Sequence, residues 1–166
     1  MLIIHEGALL MKKVILYIVI LSIMAMGFSG CASADKWDVT KLEVSEYGKD
    51  IQKNMISLSI KETEITISTK TITLLFENAL GVDYGYGHEP HLEVLIDDVW
   101  YVIPVSSETA WTEELRIVEA RSTAEEGFSL ELFYDDLKEG TYRIIKKLYS
   151  DVDSIEAAVE FEIKAD

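Results

Sequence analysis

The sequence predicts an all-β fold, a two-sheet antiparallel sandwich, preceded by a signal helix. Three observations carry that expectation. From Ile56 onward, apolar residues recur with period two, the repeat of a strand that buries one face. Between these runs lie turn-prone pieces, Asn78 to Gly87, Asp97-Asp98, Asp135 to Gly140 and Ser150 to Ser154. Ahead of both stands an apolar run that follows two lysines and ends at the single cysteine, Cys31.

That first segment has the three parts of an export signal in order. Lys12 and Lys13 form a positive start, Val14 to Phe28 an apolar core, and Ser29-Gly30 a small-residue end. The core fits the roughly 7 to 15 residues of a signal and falls short of the ~20 that a spanning helix needs. An uncleaved single-pass anchor and an ordinary cleaved signal are the weaker readings. Phe28-Ser29-Gly30-Cys31 resembles a lipobox, with Phe28 where leucine is usual. That resemblance implies cleavage before Cys31 and acylation of its thiol, hence a lipid-anchored protein on the extracytoplasmic face of the cell membrane. Translation is expected to start at Met11, because Met1 to Leu10 add nothing that a signal needs. On this reading residues 1–30 are signal, 31–54 a tether and 55–166 one domain. Its only thiol is consumed, so the core must hold by packing without a disulfide.

Charge narrows the partners. The chain carries 30 acidic against 15 basic residues, a net −15. Losing Lys12, Lys13 and Glu6 with the signal makes the remainder one unit more negative. Nucleic-acid binding is driven by clustered Lys and Arg, and Lys146-Lys147 is the longest such run after the signal. No nucleic-acid partner is expected. An acidic surface also repels anionic headgroups, so membrane attachment falls to the lipid on Cys31, and stable anchoring takes more than one acyl chain.

Along the tether, Trp37, Leu42 and Val44 are spaced to pack on the domain as an extra strand, and Tyr47 to Lys53 suits a helical turn. Ile56, Leu58 and Ile60 alternate with serine, and Ile65 and Ile67 with threonine and serine. Ile72, Leu74 and Phe76 make a third face; Leu92, Val94 and Ile96, then Trp100 to Ile103, make a hairpin around Asp97-Asp98. Glu108 to Glu126 is ambiguous: Trp111, Leu115 and Val118 share a helix face, yet Arg116 to Ala120 reads as a strand, and a strand with long flanking loops is expected. Phe128, Leu130 and Leu132 read as the next strand, followed by Tyr142 with Ile144, and Val159, Phe161 and Ile163 close the series. No internal repeat is visible.

Several pieces then point to a family. Tyr84-Gly85-Tyr86-Gly87, Leu92 to Leu95, Asp97 to Pro104 and Tyr134 to Ile144 stand in an order and spacing that resembles a bacterial immunoglobulin-like domain of lipoproteins. The resemblance spans about residues 55 to 164. Asp98 departs from it, since such domains often place glycine in that turn. It implies an immunoglobulin-like sandwich in which Tyr142 makes a tyrosine corner, its hydroxyl bonded to backbone a few residues upstream, and Gly140 takes positive φ before the strand. Ile144 would stand where antibody domains carry a cysteine, with Trp100 covering the core.

Candidate chemistry is sparse. His88 and His91, with Glu89 between, are the sole cluster resembling metal or acid-base ligands, but a third ligand of fixed spacing is missing and Pro90 disfavours a helix. Two loop histidines without metal are the favoured reading, and a metal-dependent hydrolase the least favoured. Asp97-Asp98, Asp135-Asp136 and Asp151 with Asp153 lie at turns and lack calcium-loop spacing, so solvated turn residues are expected. Tyr84 and Tyr86, among glycines, are the candidate exposed aromatics, and with His88 and His91 they form the proposed binding loop. No catalytic order of Ser, His and Asp and no phosphate loop appears. The expected function is a non-catalytic lipoprotein, without cofactor, that binds a protein or cell-wall component at the envelope. The alternative is a structural spacer without a ligand.

Overall fold

The computed structural model describes residues 37–49, 51, 55–106 and 114–166. The signal segment, Cys31 and Trp111 lie outside the described residues. Among the described residues the sandwich has ten strands: β1 (Glu43–Val44), β2 (Ile56–Ile60), β3 (Thr71–Asn78), β4 (Tyr84–Tyr86), β5 (Leu92–Ile96), β6 (Val99–Val102), β7 (Arg116–Val118), β8 (Thr123–Ser129), β9 (Gly140–Tyr149) and β10 (Ser154–Ile163). One sheet runs β1-β6-β5-β9-β4-β7, with β10 on the other side of β9, and the second runs β2-β3-β8. Every strand pair within the sheets is antiparallel.

Strand β9 is the axis of the larger sheet. It pairs along its length with β10, and on its other edge first with β5 and then with β4. Its Tyr142, Ile144 and Leu148 face the smaller sheet, where Ile72, Leu74 and Phe76 of β3 and Phe128 of β8 complete a core of fully buried side chains. Each such aliphatic or aromatic side chain contributes about 1.5–3 kcal/mol on burial, the term that replaces a disulfide here.

The tyrosine corner is present. Tyr142 donates its hydroxyl to the Lys138 carbonyl at 2.7 Å and accepts from the Lys138 amide at 3.2 Å and from Trp37 Nε1 at 3.1 Å. Gly140 enters β9 at φ 158°, the positive value expected of it and one that L side chains rarely adopt. The Asp97-Asp98 turn closes the β5–β6 hairpin with both residues left-handed, φ 48° and 64°, the conformation of a two-residue type I′ turn. Asp98 holds a place that glycine would occupy with less strain.

The segment expected as a tether is docked over much of its length. Asp38 caps a short 3-10 turn at Val39–Lys41, and β1 then adds to β6, as the spacing of Leu42 and Val44 suggested. A turn falls at Tyr47, whereas residues 50, 52 and 53 of the expected helical turn lie outside the described residues. Ile65 and Ile67 do not form a full strand: Thr66 makes one parallel bridge to Lys164 beyond β10.

Two expectations are corrected. The run Phe128, Leu130, Leu132 breaks after Ser129, whose hydroxyl accepts the Leu132 amide at 3.1 Å and caps a single helical turn, α1 (Leu130–Phe133). Leu132 is thereby exposed while Leu130 and Phe133 are buried. Trp100 does not cover the core between the sheets. It sits in register with Leu95 on the outer face, its ring 4.3 Å from the Arg143 guanidinium.

Candidate binding face

Period two in Tyr84-Gly85-Tyr86 sends both tyrosines to the same side of β4, and that side is the core. Tyr84 and Tyr86 are 2% and 1% exposed, which corrects the expectation of an exposed aromatic pair. Tyr86 stacks on Phe76 with centroids 4.4 Å apart, and burial pushes its hydroxyl up to about 12. Tyr84 donates to Asp153 at 2.7 Å; that bond and burial both hold its proton. The alternation with Gly85 was the signal, and the surrounding glycines masked it.

His88 and His91 serve different carboxylates. His88 Nδ1 lies 3.0 Å from Glu126 Oε1, with Glu114 3.8 Å from Nε2. His91 Nε2 lies 2.8 Å from Glu93 Oε1, and its ring meets Tyr47 edge-on. The two imidazoles therefore form no joint site, and among the described residues no three His, Cys, Asp or Glu side chains converge to hold a metal.

Each of those glutamates is half of a buried ion pair. On the outer face Arg143 donates from Nε to Glu93 at 2.6 Å, and its other nitrogens reach Ser45 Oγ and the carbonyls of Gly48 and Lys49. Arg143 thus clamps the docked N-terminal segment onto β5 and β9. Burial pushes the Glu93 carboxyl up, but bonds from His91, Ser45 and Arg143 outweigh it and leave it below the usual carboxylate range. Between the sheets, Lys146 of β9 and Glu126 of β8 are each 2% exposed, with Nζ 3.2 Å from Oε2. Lys146 also donates to the Gly87 carbonyl at 3.3 Å. Burial lowers the ammonium's pKa, with Glu126 opposing that shift. Both charges were locatable in sequence by phase, since Lys146 shares the inward phase of Tyr142, Ile144 and Leu148, and Glu126 that of Phe128. Their partners are structural, and neither group is accessible to a substrate.

What the described surface does offer is an open groove of about 670 Å³ beside β7, with Asp83, Ser150 and Asp151 among its lining residues. Leu115, Ile117, Tyr149, Val82 and Val152 line it, all well exposed, Val152 at 79% and Leu115 at 66%. Register builds its floor: Gly85 stands between Ile117 of β7 and Tyr149 of β9. Having no side chain, Gly85 lets Leu115 lie over it, for a Cβ there would come within 2.9 Å of Leu115 Cδ1. Asn78, 1% exposed, braces the walls by donating to the carbonyls of Val82, Val118 and Glu119. Asp83 adds a bond from the Ala120 amide at 2.7 Å. Among the described residues β7 pairs with β4 alone. Sequence reasoning missed this groove because its residues come from a turn, a loop and the ambiguous stretch around Leu115.

Comparison with known proteins bears on the fold. No curated protein matches the sequence. Among solved structures, the crystal structure of the E. coli chaperone DraB aligns at 12% identity and a TM-score of 0.42, covering 70% of this chain and 58% of the chaperone chain. The bacterial Ig-like domain family matches residues 52–162, which takes in both sheets and all strands but β1. With two-thirds of its length matched and the sandwich in place, the chain belongs to the bacterial Ig-like domain family.

Proposed function

We propose that this chain is an exported, lipid-anchored binding module without catalytic activity, which holds a partner at the cell envelope through the groove beside β7. The signal-like run ending at Cys31 supports the address and the anchor. The observation that carries the binding role is the groove itself. Large aliphatic side chains are gathered, exposed and braced from behind by Asn78, whereas His88, His91, Tyr84 and Tyr86 are engaged inside the fold. Contiguous exposed apolar surface on a small domain marks an interaction site more often than chance scatter does.

Two measurements test this reading. Mass spectrometry of the mature protein is expected to find an acylated N-terminal cysteine, and Cys31→Ser is expected to release the protein from membranes. Affinity capture from envelope extracts with the wild-type domain, compared with Ile117→Asp, is expected to retain a stoichiometric partner that the variant loses. Capture of nothing would leave the spacer reading in its place.

A further inference from the structure

His88 stands between one carboxylate that is buried and one that is exposed. Its Nδ1 is 3.0 Å from Glu126 Oε1 inside the sandwich, and its Nε2 is 3.8 Å from Oε2 of Glu114, whose side chain is 67% exposed. Glu126 is ionised against Lys146 and can only accept, so in the neutral ring Nδ1 carries the proton. A second proton therefore arrives at Nε2, on the side of Glu114. At 3.8 Å the neutral ring and Glu114 are too far apart for a hydrogen bond, and protonation turns their approach into an ion pair.

That proton meets a defined set of charges. Glu89 follows His88 on its own loop, Glu126 comes from β8 and Glu114 from the entry to β7; behind Glu126 stand Lys146 of β9 and Arg116 of β7, which act on each other. Tyr86 of β4 keeps its proton through burial and adds no charge. Three carboxylates and two cations make up the set, so a charged ring leaves it neutral. Imidazole is the side chain that changes charge between about pH 5 and 8, a range in which exposed carboxylates stay ionised. Glu114 is joined directly to Leu115, which roofs the groove at Gly85, where a Cβ would come within 2.9 Å of Leu115 Cδ1. Where Glu114 is held thus decides, through one peptide unit, where Leu115 lies.

We propose that His88 is a proton-operated latch on the groove: as the ring becomes charged it binds the Glu114 carboxylate and presses Leu115 onto Gly85, and as it discharges Glu114 is released and Leu115 lifts away. The latch stands on the geometry around His88, and its bearing on a partner rests on the binding role proposed above. His91 has no such lever. Its Nε2 is already engaged by Glu93 at 2.8 Å, and neither it nor Tyr47, on which its ring packs, lines the groove.

The test is NMR of the full chain in detergent micelles, labelled at leucine methyls and histidine rings and titrated from about pH 8 to 5. The Leu115 methyl shifts are expected to follow the His88 ring with one common midpoint. That excursion should vanish in Glu114→Gln, an exposed change that leaves the ring able to titrate, and in His88→Gln, whereas His91→Gln should keep it. Leu115 methyls that stay in place while His88 titrates would overturn the latch, as would a His88 ring that does not titrate in that range. An excursion that survives in Glu114→Gln, or one lost in His91→Gln, would overturn it too. None of these readouts involves a partner, so a failed latch leaves the binding role standing, and envelope capture that retains nothing leaves the latch standing.

Discussion

Lys146 and Glu126 meet 3.2 Å apart between the two sheets, an ion pair that joins β9 to β8, with His88 Nδ1 3.0 Å from the same carboxylate. Breaking one side strands the other charge in low dielectric. Lys146→Met or Glu126→Leu alone is therefore expected to cost about 3–5 kcal/mol, read from urea unfolding. The double variant is expected to recover most of that loss, because the apolar pair carries no desolvation penalty. Equal losses in single and double variants would show that packing, not charge, sets the cost.

Tyr142→Phe removes the hydroxyl that binds Lys138 and Trp37. At about 0.5–1.5 kcal/mol per hydrogen bond, the expected loss is about 1–3 kcal/mol in unfolding free energy. Trp37→Phe breaks one of those bonds and should cost less. An unchanged stability in Tyr142→Phe would mean that the corner is ornamental.

Arg143→Lys keeps the charge and loses the fork that reaches Glu93, Ser45 and two backbone carbonyls, as well as the stacking on Trp100. A loss of about 2–3 kcal/mol is expected, with faster amide exchange over residues 45–49. Exchange there at the wild-type rate would show that the N-terminal segment holds without the clamp.

Asp98→Gly replaces a side chain held at φ 64° in the hairpin turn. Relief of left-handed strain is expected to raise stability by about 0.5–1 kcal/mol, visible as a higher Tm. A lower Tm would show that the Asp98 carboxylate makes a turn interaction that outweighs the strain.

Alkaline pH is expected to weaken the fold. Tyr86 titrates at about 12 in the folded domain against 10 in the open chain. The native state keeps that proton longer, so its contribution is intact below pH 10 and lost as pH rises towards 12. Tyr84, Tyr134 and Tyr142 are also raised and act in the same direction. Lys146 acts oppositely, since its lowered pKa lets its burial penalty ease as pH rises. A Lys146→Met/Glu126→Leu background isolates the tyrosines. Tyrosinate absorbance followed beside circular dichroism should show a delayed titration that coincides with unfolding.

The sandwich was legible because its code is local. Alternation at Ile56 to Ile60, Ile72 to Phe76 and Leu92 to Ile96 states both the strand and its buried face, and the resemblance carried by Tyr134 to Ile144 implied the corner. Other features depend on what stands opposite. Trp100 reads as core by hydropathy, and only its register with Leu95, two residues along β5 from the Arg143 partner Glu93, moves it to the outer face. Ser129 ends a strand because its hydroxyl can cap, a choice that alternation alone does not reveal. The groove needed residues from β4, β7 and β9 brought side by side, a juxtaposition created by topology.

The clamp by which Arg143 and Tyr142 hold residues 37–49 has a mechanical meaning. Tension applied upstream of Trp37 would load its bond to Tyr142 first, and then the two-residue ladder between β1 and β6. These few hydrogen bonds are the weakest links in series with the ten-residue ladder between β9 and β10. The docked segment would peel away before the rest of the sheets felt the pull, like a fuse that yields early and leaves the sandwich folded.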